Sequence, residues 1–166
     1  MDIDKIRTRS KHLVRFADCD PMGHLYNARY LDYFMHARED QLRDIHNFDI
    51  YDYTRRTGNA WVVVKNQISY LNEARLMEEV VIQSRLIKLT DITAHVEMLM
   101  FDKDVQHVKS LLWVEFIHVN IQKRKVEPHG KELNDLFLPL LDTVEETSFD
   151  RRSEYMRKWE PSMGTV

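Results

Sequence analysis

The chain has 166 residues, 43% of them hydrophobic and 31% charged, with four Gly and four Pro. These proportions describe a single globular domain and exclude disordered, collagen-like and low-complexity chains. With 24 basic residues against 27 acidic ones the net charge is −3, so no basic face for nucleic acid is announced.

Residues 11–17 are short and rich in strand formers, which predicts a first strand. A break follows at 18–26. From Asn27 to His46 the residues are good helix formers without Gly or Pro, and Leu31, Phe34, Met35, Leu42 and Ile45 recur at helical spacing. Tyr30, Tyr33 and Ala37 widen the apolar band, leaving Asp32, Glu39, Asp40 and Arg43 for the wetter side; a band so wide predicts a wrapped helix. His36 is expected at a buried position on it. Residues 47–59 read as a loop or a short helical turn ending at Gly58.

From Ala60 the period becomes two. Val62, Val64, Asn66, Ile68 and Tyr70 form one set, Val80, Ile82, Ser84 and Leu86 a second, and Ile92, Ala94, Val96, Met98 and Met100 a third. Residues 106–122 are apolar on both faces, as in a central strand. Short connections at 72–78, 90–91 and 102–105 predict antiparallel neighbours throughout. Residues 131–141 read as a short helix or an extended arm, and 144–159 as a charged surface helix.

The order of strand, long helix and four strands predicts an α+β fold. A curved five-stranded antiparallel sheet would wrap one central helix over residues 1–140, followed by a charged helical tail or interface arm at 141–166. One helix leaves one sheet face and two edges uncovered, so a homodimer or homotetramer is expected. Cys19, the lone cysteine, excludes an internal disulfide and a zinc knuckle, and no His or acid spacing suggests a metal. The N-terminal MDIDKIRTRSK lacks an apolar core for a signal peptide, and no apolar run reaches membrane-spanning length. A cytoplasmic protein without a membrane span follows.

Chemistry concentrates in the break. Asp18 and Asp20 stand two apart, Pro21 and Gly23 set a turn, and Asn27 suits the cap of the following helix. The amides of a first helical turn lack helical partners and face the positive end of the dipole, so they can hold an oxyanion or polarise a carbonyl. A carboxylate just before them can attack that carbonyl or activate water. On the residues alone, Asp18 and Asp20 simply binding turn amides, with His24 a surface residue, is the more ordinary reading, since Asp-Pro and Gly turns before helices are common.

The string DCDPMGHLYNARYLDYFMHAR resembles the opening motif of the 4-hydroxybenzoyl-CoA thioesterase-like hotdog family, an aromatic strand, D-x-D-x-x-G and a helix opening near N-x-x-Y. VVVKNQISYLNEARLMEEVVIQSRL is similar to the family's second and third strands, with a Tyr-Leu and small-residue turn between them. The resemblance implies a hotdog fold with sites at a subunit interface. It also implies an acyl-CoA thioesterase, with Asp20 as catalytic carboxylate, Gly23 as turn glycine and the Asn27 amide on the thioester carbonyl. His24 and Asn27 resemble a G-H-x-x-N variant of the motif, so His24 is a further catalytic candidate. Gly23, Tyr26 and Ala28 are expected to contact substrate, an acyl-CoA or acyl-carrier thioester. No separate cofactor is implied, since CoA is part of the substrate. Arg29, Lys65, Arg75, Arg85 and Lys88 are available for its phosphates. Many relatives carry His at Asn27 and Glu at Met35, which keeps open a non-catalytic acyl-CoA-binding protein. A hotdog hydratase or dehydratase is the remaining alternative, although its H-F-P-x-x-P pattern is missing.

Overall fold

In the computed structural model, which describes residues 3–161, one helical turn at Ile3–Ile6 (α1) leads into strand Thr8–Leu13 (β1). A 3-10 turn at Phe16–Asp18 and a tight reversal then bring the chain to the helix Asn27–His46 (α2). The next helix, Ile50–Thr57 (α3), starts where the Asp49 carboxylate accepts the Asp52 amide at 2.8 Å, and stops at Gly58 in the left-handed region. Long strands follow at Asn59–Tyr70 (β2), Glu79–Leu89 (β3), Thr93–Asp102 (β4) and Val108–Asn120 (β5). The two-residue strand Lys125–Val126 (β6), helix Lys131–Phe137 (α4), a 3-10 turn at Leu138–Leu140 and helix Phe149–Arg157 (α5) complete the order.

All strand pairs are antiparallel, in the order β1-β3-β4-β5-β2, with β6 added beside the end of β5. The sheet curls around α2, as the wide apolar band of that helix predicts. Tyr30, Phe34, Ala37 and Leu42 pack on the inward residues Ile82, Met98, Met100 and Leu112 in one core. Each large apolar side chain buried there contributes about 1.5–3 kcal/mol.

The outer face of the sheet has its own cluster. Met156 of α5 and Trp159 just beyond it cover Val81, Leu99, Phe101 and Leu111. Glu97, buried on the same face, accepts from Arg85 Nη2 at 2.6 Å, Arg152 Nε at 2.8 Å and Trp113 Nε1 at 2.8 Å. The segment at 141–161 is therefore fastened to the sheet of its own chain by apolar contacts and by charge.

Four differences from the sequence expectations have physical causes. The first strand lies earlier, at Thr8–Leu13, because its inward residues are polar: Thr8 Oγ1 and Ser10 Oγ bond the Gln41 side chain of α2 at 2.9 Å each. Next, β2 has a bulge between Val63 and Lys65, so Trp61 and Ile68, of opposite parity, both meet the core and the expected alternation changes phase. Nor are β2 and β3 neighbours; β2 pairs with β5 and β3 with β1, so residues 71–78 cross over instead of forming a hairpin. Lastly, His36 is exposed, because the core side of that turn is taken by Phe34, Ala37 and Arg38.

Candidate active site

The crossover is what builds the reversal before α2. Leu25 N donates to Ala74 O at 2.8 Å, Leu76 N to Gly23 O at 2.9 Å, and His24 bridges Arg75 in antiparallel fashion. Within the reversal, Cys19 bridges Leu25 and Asp20 N donates to His24 O at 2.8 Å. Gly23 adopts φ +77, a conformation that other residues take only with strain; a Cβ there would meet no atom within 4 Å, so glycine serves the backbone and not the space.

The two oxygens of the Asp20 carboxylate are in different situations. Oδ1 accepts the Met22 amide at 2.9 Å and the His24 amide at 3.1 Å. Oδ2 has no hydrogen-bond partner among the described residues. Asp18 is engaged on both sides, accepting Tyr33 Oη at 2.9 Å and lying 3.7 Å from Arg29 Nε. It therefore bonds helix side chains, not the loop amides expected of it. The Cys19 thiol is pushed up by burial and by the neighbouring Asp18 and Asp20, and its Sγ rests on Arg15 O at 3.3 Å, so it is a poor nucleophile.

The cap of α2 is Tyr26, not Asn27, and no side chain caps it. Tyr26 N is held by Asp18 O at 2.9 Å, which fixes Tyr26 in extended conformation and makes Asn27 the first helical residue. The Asn27 and Ala28 amides have no intrachain acceptor among the described residues. They form the donor pair that a carbonyl oxygen could use. Both residues are exposed, as is the Tyr26 ring.

The structure therefore brings Asp20, Gly23, His24, Tyr26, Asn27 and Ala28 into one reversal. His24 meets Asp20 through its backbone amide, while its ring lies within electrostatic reach of Glu73. Tyr70 carries a role that the sequence pattern did not assign: its hydroxyl donates to Asn27 O at 2.9 Å and its ring packs edge-on against Tyr30. The signal for it lies in the Tyr-Leu pair before the crossover. Of the cations considered for phosphate, Arg85 is buried against Glu97 and Asp142, and Arg75 is paired with Glu73 at 2.6 Å. Lys65 and Lys88 are exposed and line one groove on the outer face. Among the described residues there is no cluster of His, Cys, Asp and Glu that could hold a metal, and no helix is long and apolar enough to cross a membrane.

Around the reversal, Phe16, Met22 and Tyr26 are 81%, 76% and 56% exposed. A free carboxylate oxygen, two free helix amides and an apolar surround define a site suited to acyl transfer. The sequence matches the family model of the thioesterase-like superfamily over residues 14–137, and the chain belongs to that family. Comparison with curated proteins gives no match.

Solved structures are similar in fold. A 1,4-dihydroxy-2-naphthoyl-CoA thioesterase from Synechocystis superposes with a TM-score of 0.72 at 14% identity, covering 80% of this chain and 96% of that one. A DHNA-CoA thioesterase from Staphylococcus aureus gives 0.68 at 19% identity, covering 80% and 85%. A Staphylococcus aureus protein solved in complex with CoA gives 0.75 at 12% identity, covering 86% and 90%.

Proposed function

We propose that the protein is an acyl-CoA thioesterase, splitting a thioester into a free acid and CoA at the Asp20 reversal. The observation that carries this reading is the asymmetry of Asp20. One oxygen is fixed by the Met22 and His24 amides, so the other is oriented without being consumed. The thioester carbonyl oxygen would accept from the Asn27 and Ala28 amides, in front of the positive end of α2. Gly23, Tyr26 and Ala28 would contact the substrate around it.

Two routes balance. In one, Asp20 takes a proton from water as the water oxygen bonds the acyl carbon; the C–S bond then breaks and the thiolate leaves. In the other, Asp20 Oδ2 bonds the acyl carbon as thiolate leaves, and water then hydrolyses the mixed anhydride. Solvent oxygen found in Asp20 after single turnover would mark the second route. His24 would position the water or orient Asp20.

A second copy of the chain belongs in this proposal. β2 ends the sheet, and its Val62, Val63 and Val64 are exposed. Tyr70, the last residue of that strand, bonds the first residue of α2, so a copy paired along β2 would reach the helix start.

The deciding experiment is thiol release from a panel of acyl-CoA substrates by wild type and Asp20→Asn. The wild type is expected to turn over at least one, and the variant to lose about 10²–10⁴-fold in kcat at unchanged melting temperature. Full activity in the variant would remove Asp20 from the chemistry. Tight acyl-CoA binding with no turnover by the wild type would favour the non-catalytic alternative.

A further inference from the structure

Arg38 stands in the middle of α2 and points into the protein. It is 8% exposed, and among the described residues its one hydrogen bond is Nη1 to Ser84 Oγ at 3.2 Å. No carboxylate among them pairs with it; the acids on the neighbouring sheet surface, Glu97 and Asp142, are taken by Arg85, Arg152 and Arg7 on the other face. Burial draws the guanidinium down to about 10, which still leaves it a cation at neutral pH. Nearby His46 supplies no counter-charge and adds no second cation: burial, Arg38 and Lys5 together lower it to about 4, so it is neutral.

A buried cation without a counter-charge is costly, and proteins rarely keep one without a partner. The guanidinium has five N–H donors in a planar fork; one bonds Ser84, and the nitrogens left without a partner are not fully enclosed, so a ligand in the cavity can reach them. Arg38 also lines a cavity of about 60 Å³ whose other walls are apolar, among them Leu42, Phe48, Trp61, Val96 and Phe137. None of its lining residues belongs to the Asp20 reversal.

We infer that this cavity is a binding site for a small carboxylic acid, its carboxylate on the Arg38 fork and its short apolar tail among Leu42, Phe48, Trp61, Val96 and Phe137. The planar carboxylate matches the guanidinium in a bidentate pair, and one negative charge cancels one positive charge. A phosphate would bring more charge than Arg38 neutralises into walls that offer almost no other donor. A neutral apolar molecule would leave the cation unpaired. The small volume limits the tail to a short chain. The site is separate from the proposed thioester chemistry and stands whether or not that chemistry is confirmed.

The test is thermal unfolding of the full chain against butyrate, hexanoate and octanoate, with the matching alcohols as controls, followed by calorimetric titration of the best acid. Butyrate is expected to raise the melting temperature most and octanoate least, as the small cavity requires, and the alcohols to do so far less than the matching acids. Arg38→Met is expected to weaken the acid by about tenfold or more, since it removes a charge-assisted bidentate contact. Ala94→Leu, which fills the cavity and keeps Arg38, is expected to lose binding as well, and it decides the matter if Arg38→Met does not fold. Asp20→Asn is expected to bind the acid as the wild type does, which separates this cavity from product binding at the reversal. Equal response to acids and alcohols, or acid binding that survives Ala94→Leu, would overturn the proposal. So would loss of acid binding in Asp20→Asn.

Discussion

The Tyr70 hydroxyl donates to the Asn27 carbonyl oxygen at 2.9 Å, joining the last residue of the edge strand to the first residue of the long helix. The Tyr70 ring lies edge-on to Tyr30 at 5.1 Å between centroids, and Tyr30 Oη accepts the Ala74 amide at 3.1 Å. Strand end, helix start and crossover are thereby held in one frame. Tyr70→Phe removes only the hydroxyl. It is expected to cost about 0.5–1.5 kcal/mol in urea denaturation. In acyl-CoA kinetics it should lower kcat more than it changes KM, because the helix amides act on charge that develops in the transition state. Unchanged kcat would mean that the helix start is held without this bond.

Asp20 has two duties that two substitutions separate. Asn keeps an oxygen for the Met22 and His24 amides, whereas Ala leaves both without an acceptor. Asp20→Ala is therefore expected to lose about 1–3 kcal/mol of stability, and Asp20→Asn much less. Both should lose hydrolysis to a similar degree. Equal destabilisation by the two, measured by chemical denaturation, would show that the charge, not the acceptor geometry, holds the turn.

Gly23 provides a backbone test without a side-chain clash, since no atom lies within 4 Å of a Cβ built there. Gly23→Ala is expected to cost about 1–2 kcal/mol through its positive φ, and Gly23→Asn less, because Asn tolerates the left-handed region. Equal losses in thermal unfolding would point to a role for the site's open space instead.

Elements whose side chains follow apolar arithmetic were legible in the sequence. The helix Asn27–His46 appears at the predicted bounds, and the inward sets of β3 and β4, from Val80 to Leu86 and from Ala94 to Met100, are those that the period of two predicts. What escaped had polar or irregular causes. The Thr8, Ser10 and Gln41 network buries polar groups in pairs, and no hydropathy pattern marks a pair that is distant in sequence. The β2 bulge inverts a parity that the sequence shows as continuous. Arg38 falls on the apolar stripe between Phe34 and Leu42, but its residue type is one ordinarily left to water. The reversal was legible because Asp20, Pro21 and Gly23 are local; the crossover and Tyr70 that support it are not.

The outer face predicts how the fold responds to acid. Burial pushes the Glu97 carboxyl up, but Arg152, Arg85 and Trp113 outweigh it and hold it below the usual range. Asp142 is likewise raised by burial and lowered further by Arg7 and Arg85. A carboxyl depressed in the folded state stabilises fully above its unfolded value, near 4, and loses that contribution as pH falls toward the folded one. Stability should therefore fall below about pH 4.5. Glu97→Gln should cost about 3–5 kcal/mol at pH 7, by stranding Arg152 and leaving Arg85 with Asp142 alone, and less at pH 3. Urea midpoints at both pH values check this; the same loss at each would mean that Glu97 is not a titrating group of the acid limb.

The exposed edge predicts an assembly. Val62, Val63 and Val64 are 48%, 41% and 53% exposed on a strand that has no neighbour on its outer side among the described residues. A long apolar edge of this kind invites another strand unless charge blocks it. The wild type is expected to sediment as a dimer or a multiple of one. Replacing both Val62 and Val64 by Lys should shift it toward monomer by placing like charges along the pairing line. Because Tyr70 ends the same strand at the helix start, that monomer is expected to lose thioester hydrolysis together with its partner. A wild type that sediments as a monomer would refute the assembly, and a fully active monomeric variant would detach the chemistry from it.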